Sequence, residues 1–87
     1  MEPNQVMLVY LVNNTFLISE VEELVASDIG QPDCKLINPY TLDFSGKLEP
    51  WLFTFTKDEY IMISSDKILT IVEPNNELIE KYLEVKQ

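Results

Sequence analysis

The residues able to do chemistry in this chain are few and dispersed. It contains no histidine and no arginine, one cysteine and two glycines. General acid–base catalysis draws most often on histidine or on a carboxylate pair held in a cleft. Glu20, Glu22 and Glu23 form a run of the kind that usually makes a solvated face. Glu22, Asp28 and Asp33 are oxygen donors suited to a hard cation, but their spacing is not that of a calcium-binding helix–loop–helix. Gly30 and Gly46 stand too far apart for a phosphate-cradling loop. Cys34 has no second cysteine for a disulfide or a zinc site and no histidine to activate it, and it reads as a small core residue. No catalytic, cofactor-binding or metal-binding residue is therefore assigned, and the chain reads as a non-enzyme. Two groups fit recognition instead. Trp51, Phe53 and Phe55 share a strand parity, as a stacking platform or as core packing. Ser64, Ser65 and Lys67 offer hydroxyl and ammonium donors to phosphate or base edges, or simply make a turn.

Composition sets the frame for these residues. Eighty-seven residues make one domain, residues 1–87. A chain of this size hides only about 60–65% of its unfolded surface, so its stability alone is marginal. A hydrophobic content of 46% is high for that length and points to cover by another subunit. Fifteen acidic residues against six lysines give a net charge of −9, which argues against general DNA binding. A basic leader and a long apolar stretch are both missing from the N-terminal residues, so neither secretion nor a membrane span is expected and the chain reads as cytoplasmic.

The elements read mostly as β. Val6–Val12 is a short run of β formers, and Asn13-Asn14 is a tight turn. Thr15–Ala26 fits a helix face or a long bent strand, and the strand is preferred. After a turn over 28–33, Cys34–Asn38 reads as a strand stopped by Pro39. Tyr40–Pro50 reads as a loop with one extended piece at Leu42–Phe44, and Trp51–Thr56 alternates like a strand. Tyr60–Ser64 and Ile68–Val72 read as a hairpin around Ser65-Asp66-Lys67. Pro74-Asn75-Asn76 then caps a helix over about 76–85, whose Leu78, Ile79, Tyr82 and Leu83 face one side. Strands within 6–72 and a closing helix predict a small, strongly bent five-stranded antiparallel sheet, a partly open barrel with a C-terminal helix across its mouth.

Val6–Val12 with Asn13-Asn14 resembles the first strand and turn of the Sm-like (LSm) fold, and Ile63–Ile71 is similar to its second motif. The layout is closest to the small Sm-like proteins attributed to cyanophages, which would place the chain in a host cytoplasm. The resemblance implies a homo-oligomeric ring, of about five to seven subunits, in which the fourth strand of one subunit pairs with the fifth of the next. Carried over, the interface residues are Tyr60, Ile61, Met62 and Ile63, with Ile68, Leu69, Thr70, Ile71 and Val72. Many such rings bind single-stranded, uridine-rich RNA at the pore. That implies Lys35, Asn38 and Tyr40, in and near a predicted turn, and Ser64, Ser65 and Lys67 as RNA-binding residues. Three departures weaken the RNA part more than the ring. Ser64-Ser65 replaces the family's Arg-Gly, Asp33 matches the first motif only loosely, and the family's leading helix is missing before Val6. The competing expectation is an acidic protein-interaction module that binds no nucleic acid.

Overall fold

A computed structural model describes residues 5–23, 32–52, 55–58 and 60–85. The strands are β1 (Val6–Leu11), β2 (Phe16–Glu23), β3 (Cys34–Leu42), β4 (Leu48–Pro50), β5 (Tyr60–Ile63) and β6 (Ile68–Val72), followed by helix α1 (Asn76–Val85). They form one antiparallel sheet in the order β4-β3-β2-β1-β6, with β5 also paired to β3. The chain is mostly β, as the patterning of its residues predicts.

The β1–β2 turn is where the asparagines place it. Asn14 takes a positive φ of 65°, a conformation asparagine tolerates better than most residues. Asn13 Oδ1 accepts the Thr15 N–H at 3.2 Å. Val9 and Leu17 meet across the resulting hairpin and are both fully buried. With Leu11 and Leu36 they make the core, against which Met7, Val21, Trp51, Ile63 and Ile68 pack.

Pro39 does not stop β3. The strand continues to Leu42, because Asn38 and Pro39 together face the single residue Ser19 in a β-bulge. Asn38 absorbs the kink at φ 53°, and a bulge is a place in a sheet where proline's missing N–H is tolerated. Ser19, fully buried there, donates its hydroxyl to the backbone oxygens of Glu20 and Ile37. Tyr40 thus lies in a strand, not in a turn.

Two further expectations are corrected. Trp51 and Leu52 form a bend rather than a strand: Leu52 has φ 67° and its carbonyl accepts the N–H groups of Phe55 and Thr56. Trp51 turns onto the core, Phe55 is exposed, and Phe53 lies outside the described residues. Nor do Tyr60–Ser64 and Ile68–Val72 pair with each other. A 3-10 turn, Ser65–Lys67, sends the chain from β5, beside β3, to β6, beside β1. In a flat sheet those strands would stand four spacings apart, about 19 Å. The turn's three residues rise only about 6 Å, so the sheet has to curl. Because β4 and β5 occupy successive stretches of one edge of β3, the described residues form six strand pieces in a sheet five strands wide.

Helix α1 covers the other face of β2 and β3. Asn75 Oδ1 caps it by accepting the Leu78 N–H at 2.8 Å. Tyr82 is fully buried; its hydroxyl lies 3.1 Å from the Ile37 oxygen and 2.9 Å from that of Asn38, and donates to this pair. Its ring meets Tyr40 edge-on at 5.8 Å. Leu78 and Ile79 are half-buried, whereas Leu83 stays exposed, so the buried stripe is narrower than its sequence spacing predicts.

Candidate functional site

The sheet ends in strands with unpaired edges. Among the described residues β5 bonds only to β3 and β6 only to β1. Neither β6 (ILTIV) nor β5 (YIMI) contains a charge or a proline, the residues that commonly blunt such edges. Their side chains are open as well: Tyr60 and Met62 are 50% and 42% exposed, and Leu69, Ile71 and Val72 are 57%, 40% and 44% exposed. Ile71 is the informative one. It pairs with Val9 and shares its face, yet Val9 is fully buried while Ile71 is not. On the other edge Ile61 pairs with buried Leu36, so it too points to the core side.

Where β5 leaves the sheet, Asp33 and Ser65 join. Asp33 Oδ1 accepts the Ser65 N–H and Oδ2 accepts its hydroxyl, both at 2.7 Å. The Ser65 hydroxyl, then its N–H, hold the Asp33 carboxyl below its ordinary range. Lys67 anchors the far side of the turn through its carbonyl, which accepts the Val12 N–H at 2.9 Å, and it leaves its side chain exposed. Beside Asp33, Cys34 is buried in register with Ile63, and burial pushes its thiol pKa up, with Asp33 and Glu23 adding to the effect.

The six residues expected at an RNA site fall into two places. Ser64, Ser65 and Lys67 surround the 3-10 turn, and Lys35 lies nearby on β3, paired in register with Met62. The Lys35 ammonium is 3.8 Å from Glu22 and 4.3 Å from the centre of the Tyr60 ring. Asn38 and Tyr40 sit farther along β3, under α1: Asn38 forms the bulge, and the Tyr40 hydroxyl donates to the Val85 oxygen at 3.0 Å. The Asp33–Ser65 contact joins two residues 32 apart in the chain that the sequence marks separately, without any signal that they meet.

Among the described residues no group of three His, Cys, Asp or Glu side chains is placed to hold a metal ion. Glu22 faces Lys35, Asp33 is bonded to Ser65, and Asp28 lies outside the described residues. No described helix is long and apolar enough to cross a membrane. Comparison with curated proteins finds no match. A family model described as a family of unknown function, DUF6561, matches residues 4–87, and the chain belongs to that family.

Proposed function

We propose that this chain is a non-catalytic, Sm-like subunit that assembles with copies of itself into a closed ring, and that the ring serves as a scaffold. The observation that carries the reading is the pair of open, uncharged strand edges, β5 and β6, at the two ends of one sheet. Pairing β5 of one copy with β6 of the next uses the same two surfaces in every subunit, and a ring leaves none of them open. The five-strand width and the short turn between the last two strands agree with the Sm-like layout.

Side-chain direction selects a register. An antiparallel pairing that keeps core-facing residues together sets Ile71 opposite the neighbour's Ile61 and Thr70 opposite its Met62. Ile71 then loses its exposure to water. The test is a double variant, Met62→Cys with Thr70→Cys, oxidised under mild conditions. A ladder of covalent oligomers on a non-reducing gel supports the reading, whereas monomer alone speaks against it. Buried Cys34 stays out of the reaction.

A second reading adds single-stranded RNA, favoured by exposed Lys67 beside Ser64 and Ser65 at a turn that a ring would repeat about its axis. A labelled oligouridine should then bind more weakly as salt rises and more weakly to Lys67→Ala. Absence of binding at low salt leaves the scaffold reading, or an acidic protein-interaction module, without RNA.

A further inference from the structure

We infer that the groove between the β3–β4 turn and α1 docks an arginine side chain of a basic partner peptide. This site is separate from the strand edges and independent of the ring. The groove encloses about 370 Å³, with Leu42 and Leu78 among its apolar residues and Phe44, Gly46, Glu77 and Lys81 around them. That is the lower end of the size of a ligand pocket.

Phe44 is 96% exposed, and its position is set from behind. It meets Phe16 edge-on, with centroids 5.3 Å apart, and Phe16 stacks on Tyr10 at 4.6 Å. The turn that carries Phe44 is braced. Asp43 Oδ1 accepts the Ser45 N–H, the Ser45 hydroxyl and the Lys47 N–H at 2.9, 2.6 and 3.0 Å. Lys81 ties this turn to the helix through a 2.6 Å bond to the Gly46 oxygen. An aromatic face is thus presented to solvent on a held loop, beside an apolar floor.

The charge around the groove chooses the occupant. Among the lining residues, Asp43 and Glu77 bring two carboxylates against the ammonium of Lys81, and Lys47, which also acts on Asp43, is paired with Glu49 at 3.1 Å. Asp43 is occupied with its own turn, and no described cation pairs with Glu77. Glu80 and Glu84 continue an exposed acidic stripe along α1 from Glu77, and the chain carries −9 overall. A guanidinium is planar, so it lies flat on a phenyl face while its edge forks to a carboxylate. An ammonium offers a point charge without the flat stacking surface. The chain contains no arginine, so a second copy cannot supply the occupant.

The experiment titrates a fluorescein-labelled peptide of alternating glycine and arginine, and its lysine counterpart, into the full chain. The arginine peptide is expected to bind more tightly, and Phe44→Ala and Glu77→Lys are each expected to weaken it about tenfold. Asp58→Lys makes the same change of charge at an exposed position away from the groove and should cost less than about threefold. Leu69→Lys, directed at the ring edge, should leave peptide binding unchanged. Equal losses in Glu77→Lys and Asp58→Lys, equal affinity for both peptides, or no binding by the unaltered chain would each overturn the assignment.

Discussion

β4 and β5 lie along the same side of β3, but they present different edges to solvent. β4 reads Leu-Glu-Pro; Glu49 pairs with Lys47 at 3.1 Å, and Pro50 offers no N–H to an incoming strand. β5 reads Tyr-Ile-Met-Ile and has neither device. β6, at the other end of the sheet, is like β5. One sequence thus guards one short edge and leaves two others bare. Exposed apolar edges invite uncontrolled pairing. Their restriction to two strands that can pair with each other's copies makes a defined assembly the better reading of this difference.

The largest expected effect comes from adding the missing guard. Leu69→Lys or Met62→Lys, at positions 57% and 42% exposed, should convert the assembly to folded monomer, read as solution mass with an unchanged circular-dichroism spectrum. Glu49→Lys on the β4 edge should leave the mass as it was. Loss of assembly in Glu49→Lys, or its persistence in both edge variants, would break the contrast.

The helix-covered face comes next. Tyr82→Ala should cost about 3–5 kcal/mol in chemical denaturation, as a large buried aromatic does, and Tyr82→Phe about 1 kcal/mol for its hydroxyl bond. Burial pushes the Tyr82 pKa up to about 12. Since an unfolded tyrosine ionises near 10, the folded state keeps this contribution in full below pH 10 and loses it as pH rises toward 12. Tyr82→Phe should flatten that alkaline decline. Both substitutions should leave the strand edges able to pair.

Smaller effects follow at the bulge and the junction. Asn38→Val forces a β-branched residue to positive φ and should cost about 1–2 kcal/mol, whereas Asn38→Gly should be close to neutral in the same assay. At the junction the Asp33 carboxyl titrates below its ordinary value. Its contribution is present above pH 4 and disappears as pH falls through the lowered folded value. Ser65→Ala removes the hydroxyl bond and keeps the N–H bond, so it should reduce this acid sensitivity, seen as a smaller difference in melting temperature between pH 3 and pH 6.

Much of the architecture was legible from local chemistry. Asn13-Asn14 marked the first hairpin, Asn75 capped the helix, and the apolar run at Val6 marked a strand. The misses have a common cause. Pro39 is a stop signal unless a bulge receives it, and the bulge depends on Ser19, twenty residues earlier. The partners of β5 and β6 are β3 and β1, set by tertiary pairing that no local turn signal reports. Trp51 alternates with Phe53 and Phe55 like a strand residue, but the core takes it from a bend. Site residues scattered for the same reason: Lys35 and Tyr40 share a strand, while the bulge between them and the helix above Tyr40 give them different neighbours.

The most direct test of the account is the solution mass of the purified protein, measured by light scattering after size exclusion. A single species of about five to seven subunits, reduced to one by Leu69→Lys, is the predicted result. A monomer at micromolar concentration with both bare edges intact would contradict it.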